Sequence, residues 1–136
     1  MPAAVGELDV RRLTHMEQVS FITVETGDDL ILSFAVQRRD DPSEIESLTL
    51  MRTPKYEFLL DEHERGVGVS FERHEDDEDD FLQKIDYVEA DAVVRIQTIS
   101  CEYELDVRKV ALEDLKQMRK VLKKMNYDQK FQTSGV

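Results

Sequence analysis

The chain has 136 residues, 40% of them hydrophobic and 35% charged, with 30 acidic against 18 basic side chains and a formal net charge of −12. That length suits one ordinary domain able to bury a core without staples, and the charge describes a folded protein with a heavily ionised surface. It disfavours nucleic acid and anionic membrane as direct ligands, because both are bound by basic patches that displace counterions.

No apolar run approaches the ~18 residues needed to cross a bilayer. The start, Met1-Pro2-Ala3-Ala4-Val5-Gly6, lacks the charged beginning and apolar middle of a signal peptide, so a cytoplasmic location is expected. The single Cys101 has no internal disulfide partner, which agrees with a reducing compartment.

Residues 1–14 carry no clear period and read as a loose arm or a short edge strand. A single domain is expected over 15–126 and a flexible tail over 127–136. Val19, Phe21, Thr23 and Glu25 alternate with Ser20, Ile22, Val24 and Thr26, the period of a strand. Thr26-Gly27-Asp28-Asp29 supplies a turn, with Gly27 expected at positive φ, and residues 30–36 return as a nearly unbroken apolar strand. Residues 45–51 alternate again and stop at Pro54. Residues 56–60 and 67–71 read as a second hairpin around 61–66, with Gly66 in its turn.

His74 is followed by six consecutive carboxylates, Glu75, Asp76, Asp77, Glu78, Asp79 and Asp80. They repel one another and offer nothing to a core, so they form a solvated loop. Strands follow over 85–88, 93–99 and 103–107, with Val94, Ile96 and Thr98 on one face. Ala111, Leu115, Met118, Leu122 and Met125 then recur at helical spacing, flanked by Leu112 and Val121. Lys116, Arg119, Lys120, Lys123 and Lys124 line the other side, and Asn126 is the expected left-handed stop. The fold class is therefore α+β: about seven mainly antiparallel short strands, as a curved sheet or small barrel, packed by one C-terminal amphipathic helix.

The chemistry-bearing residues form no known signature. His15, His63, His74 and Cys101 lack the spacing of a zinc site, and the acidic run lacks the alternation and glycine of a calcium loop. Gly66-Val67-Gly68 lacks the third glycine of a phosphate cradle, and Ser70, Ser100 and Cys101 have no nucleophile signature. No cofactor, metal or catalytic residue is implied. What stands out is charge layout: residues 72–91 hold ten acids and two bases, residues 107–136 eight bases and three acids.

The leading expectation is a non-enzymatic protein-binding module or inhibitor that meets a basic protein partner. Its acidic surface comprises Asp61, Glu62, Glu64, Glu75, Asp76, Asp77, Glu78, Asp79 and Asp80. The basic helix flank, Lys116, Arg119, Lys120 and Lys123, is the counterpart, meeting the acidic loop within one molecule or across a homodimer. The alternative expectation is a small-molecule or divalent-cation binding domain.

Overall fold

A computed structural model describes residues 11–12, 16–74 and 79–136. The expected arm over 1–14, apart from the backbone of Arg11–Arg12, lies outside the described residues, as do Glu75, Asp76, Asp77 and Glu78. The strands are β1 (Arg11–Arg12), β2 (Glu17–Thr26), β3 (Leu30–Gln37), β4 (Ile45–Arg52), β5 (Gly68–Phe71), β6 (Leu82–Val88), β7 (Val93–Thr98), β8 (Cys101–Asp106) and β9 (Gln132–Ser134). The helix, α1, is Leu112–Met125.

They form one curved, mostly antiparallel sheet in the order β5-β4-β3-β2-β8-β7-β6-β9, with β1 also pairing to β8. This is the expected α+β class. The parallel pairs are β1–β8, β2–β8 and β6–β9. The two arms of the sheet are pinned at one place: Val69 N–H donates to the Asp80 carbonyl and Leu82 N–H to the Val67 carbonyl, both at 2.9 Å.

Strand parity explains the core. Leu30, Leu32, Phe34 and Val36 of β3 and Leu48 and Leu50 of β4 are buried on one face, joined by Val94, Ile96 and Thr98 of β7. In β2 a register shift between Val19 and Phe21 inserts an extra residue, so Val19 and Ile22 both turn inward while Phe21 turns out. The concave face is covered by α1, whose Leu115, Met118, Val121, Leu122 and Met125 are buried against β2 and β3. Leu112, expected to widen that stripe, is instead 82% exposed at the start of the helix.

The same parity sends Glu17 and Arg52 inward, and Asp106, out of phase with Leu105 at the end of β8, is buried as well; each is met by partners. Glu17 is in phase with Val19 and pairs with Arg39 and Arg73, and Arg73 also reaches Glu46 at 2.9 Å. Asp106 accepts from Gln18 Nε2, and from the Arg108 backbone N–H and guanidinium. The Arg108 hydrogen bonds hold its carboxyl down at about 2 although burial acts the other way. Arg52 is in phase with Leu48 and Leu50 at the end of β4.

Three further expectations differ from the structure. Residues 56–60 are not a strand: Pro54–Leu59 is a 3₁₀ helix and Glu62–Glu64 a second, shorter one, so β5 pairs with β4 directly. Pro54, with φ preset and no N–H, suits the first helical position. Among the described residues, Gly66 (φ 138°) and Gly135 (φ 73°) are the glycines at positive φ, and Gly27 is not. Asn126 (φ −99°) does not adopt the left-handed conformation. Its side chain instead donates to the Phe131 carbonyl and accepts the Phe131 N–H.

That clip, with Phe131 buried, carries the end of the chain onto the sheet. The expected flexible tail is therefore partly strand: Gln132, Thr133 and Ser134 pair in parallel with Lys84, Ile85 and Asp86. Gly135 follows so close to β6 that a Cβ there would lie 2.0 Å from the Tyr87 carbonyl oxygen.

Candidate functional site

The buried end of β4 organises the most distinctive surface. Arg52 has no exposed side-chain area, and each of its five N–H donors is used. Nε and Nη2 donate to Glu57 at 2.7 and 2.9 Å, Nη1 and Nη2 to Asp128 at 2.8 and 2.7 Å, and Nη1 also to the Met125 carbonyl at 2.7 Å. The last of these satisfies one of the free carbonyls at the C-terminus of α1. Tyr127 lies over the guanidinium, its ring centre 4.4 Å from Cζ. Burial works against the charge of Arg52, but the hydrogen bonds to Asp128 and Glu57 more than offset it and raise its pKa. Arg52 in turn lowers the pKa of Glu57 and of Asp128.

This clamp dictates what the 54–59 helix shows to solvent. Glu57 is its one buried residue, drawn inward by Arg52. Tyr56, Phe58 and Leu59 consequently face out, at 52%, 72% and 69% exposure, beside the exposed Leu60 and Met51. Arg65 Nε and Nη2 donate to the Leu60 carbonyl and close the loop that follows.

Between this apolar knuckle and the pinned junction of the sheet lies a groove of about 770 Å³, with Met51, Leu60 and Phe81 among its apolar lining residues. An adjoining depression of about 360 Å³ shares those three residues and adds Tyr56 and Leu59. Acidic side chains come from two distant stretches. Glu64 lines the groove from the 62–64 turn, with exposed Asp61 and Glu62 next to it in the chain, and Asp79 and Asp80 line it from the segment before β6.

The expected acidic residues therefore divide. Asp61, Glu62, Glu64 and Asp79 are exposed, and of these Glu64 and Asp79 line the groove. Asp80 is occupied: its carboxylate accepts from Phe81 N–H and Ser100 N–H, both at 3.1 Å, and from Thr98 Oγ1 at 2.6 Å, closing the turn between β7 and β8. Glu75, Asp76, Asp77 and Glu78 lie outside the described residues. On the helix, Lys116, Lys120 and Lys123 are exposed, while Arg119 lies over Tyr87 and 3.5 Å from Glu89. Among the described residues, no ion pair joins that flank to Asp61, Glu62, Glu64, Asp79 or Asp80.

Asp61, His63 and Glu64 bring ligand-type atoms within 4.8 Å of one another. All three are exposed, and Glu64 Oε1 accepts the Asp61 N–H at 3.2 Å, so the turn itself accounts for their proximity. The apolar knuckle had no separate signal in the sequence, because its side chains are of core type. An arginine in phase with Leu48 and Leu50 was the available clue to its clamp.

The fold and site together define an α+β protein with an acid-rimmed, apolar-floored surface groove. No family model matches the chain, and neither a curated protein nor a solved structure is significantly similar to it.

Proposed function

We propose that this chain is a non-enzymatic protein-binding module that engages a basic partner protein through its acidic surface. One observation carries the reading: Glu64 and Asp79, from distant stretches of the chain, line one groove, with Asp61 and Glu62 exposed next to Glu64 and with exposed Tyr56, Phe58, Leu59 and Leu60 close by. Contiguous apolar side chains rimmed by charge are what docking surfaces present, the apolar part supplying affinity and the rim supplying steering. The buried charged groups Arg52, Glu17 and Asp106 are each engaged with oppositely charged side chains, which suits scaffolding better than proton transfer.

Among the described residues no helix is long and apolar enough to cross a membrane. The free, buried Cys101 suits a reducing compartment, and we place the protein in the cytoplasm.

The test is affinity capture with the full chain against a variant carrying Asp61→Asn, Glu62→Gln, Glu64→Gln and Asp79→Asn. The expected result is a partner with a basic surface whose recovery falls in the variant and with rising salt. Recovery that ignores both changes overturns the reading.

A further inference from the structure

We infer that the groove takes a short segment of another protein in which an apolar anchor side chain is flanked by lysines or arginines. This rests on the protein-binding reading and specifies the chemistry that the partner must present.

Three features of the groove define that occupant. Its floor is apolar, with Met51, Leu60 and Phe81 shared by both depressions, so the element that enters must bring an apolar side chain. Its lining includes two carboxylates from distant stretches of the chain, Glu64 and Asp79, both exposed and ready to meet cations flanking the anchor. Its apolar wall is fixed in advance: with Glu57 held inward by Arg52, Tyr56 and Leu59 stay outward whether or not a partner is bound. An anionic lipid surface would accept the apolar knuckle but be repelled by the rim, and a purely basic segment would leave the floor wet.

A second copy of this chain is the competing occupant. Leu112, 82% exposed and one helical turn from Lys116, offers a lone apolar side chain beside a base. Glu113 and Asp114 adjoin it, however, and would face the acidic rim. The charge pattern therefore favours a different protein.

The probe is a fluorescent hexapeptide with Leu-Phe between two pairs of lysines, compared by anisotropy with one carrying Ser-Ser in the centre. The expected result is about tenfold or tighter binding of the Leu-Phe peptide, the effect of burying one large apolar side chain. Leu59→Ser with Leu60→Ser should remove that preference, and Glu64→Gln with Asp79→Asn should weaken both peptides and flatten the salt dependence. These side chains are exposed, so the variants retain the fold, which circular dichroism verifies.

Equal binding of the two peptides overturns the anchor inference while leaving the acidic reading standing. A Leu-Phe preference that survives Leu59→Ser with Leu60→Ser overturns the assignment to this groove. Absence of binding by either peptide overturns the inference, and the capture experiment then decides the broader reading separately. Concentration-dependent self-association that Leu112→Ser abolishes would assign the groove to a second copy and overturn it as well.

Discussion

Replacing Arg52 by alanine is the sharpest test of the clamp. The guanidinium is fully buried and its five donors meet two carboxylates and one helix-terminal carbonyl. Removing it strands Glu57, whose side chain is 9% exposed, and leaves Asp128, 31% exposed, without its partner. Breaking a buried ion pair from one side costs about 3–5 kcal/mol, a large share of the ~5–15 kcal/mol that stabilises a domain. For a chain of this size the melting temperature should fall by roughly 10–20 °C. Urea unfolding followed by far-ultraviolet circular dichroism measures the free energy, and calorimetry the temperature. Arg52→Lys, with three donors and no planar fork, should fall between wild type and alanine. The triple change Arg52→Met, Glu57→Leu, Asp128→Asn should recover most of the loss, because apolar replacement of a whole buried ion cluster is often neutral. An alanine variant within about 1 kcal/mol of wild type would refute the view that buried charge complementarity holds 54–59 in place.

Three further outcomes follow from individual residues. Asp80→Ala should destabilise the fold by about 1–3 kcal/mol through the orphaned Ser100 and Phe81 N–H groups, whereas Asp79→Ala, on the exposed rim, should change stability by less than about 0.5 kcal/mol; paired urea titrations separate them. Asp106, held near 2 instead of 3.8, favours the folded state in its charged form, a contribution of about 2 kcal/mol that is full above about pH 5 and lost as pH falls through 3.8 towards 2. Glu57 and Asp128, also lowered, act in the same direction, so Asp106→Asn should narrow but not abolish the acid loss of melting temperature. Gly135→Ala, for which there is no room beside the Tyr87 carbonyl, should release β9 and speed amide exchange at Gln132, Thr133 and Ser134 with little change in global melting.

The elements legible in the sequence were those whose burial follows their own period. Leu30, Leu32, Phe34 and Val36 announce β3, and Leu115, Met118, Leu122 and Met125 announce α1, because each segment's apolar side chains face one way. The 54–59 helix inverts that rule: Tyr56, Phe58 and Leu59 look like a strand's core residues, yet the residue buried is Glu57, on account of an arginine five positions earlier and an aspartate 76 positions beyond that arginine. No local window contains that relation. Asp80 is likewise indistinguishable from Asp79 in the sequence, since only the position of the Thr98–Ser100 turn sets it apart. The tail strand was hidden because Gln132, Thr133 and Ser134 are polar and exposed, and its cause lies in the Asn126 clip and the buried Phe131. For the groove, the acidic rim was readable as charge, and its apolar floor was not readable as surface.

The pairing of β2 with β8 has a consequence for how the chain folds. β2, β3 and β4 follow one another and can zip together as soon as they leave the ribosome, but β2 finds its other neighbour only when β8 emerges; the Gln18–Asp106 hydrogen bond spans 88 residues. Until then the nascent three-stranded ribbon has an open edge at β2 and no helix over its apolar face, the kind of species that aggregates. Arg52 likewise waits for Asp128, 76 residues further along the chain. Folding accordingly proceeds at the slow pace of long-range topologies, on the order of milliseconds to seconds. The strong negative charge then has a second use, keeping those unfinished chains apart.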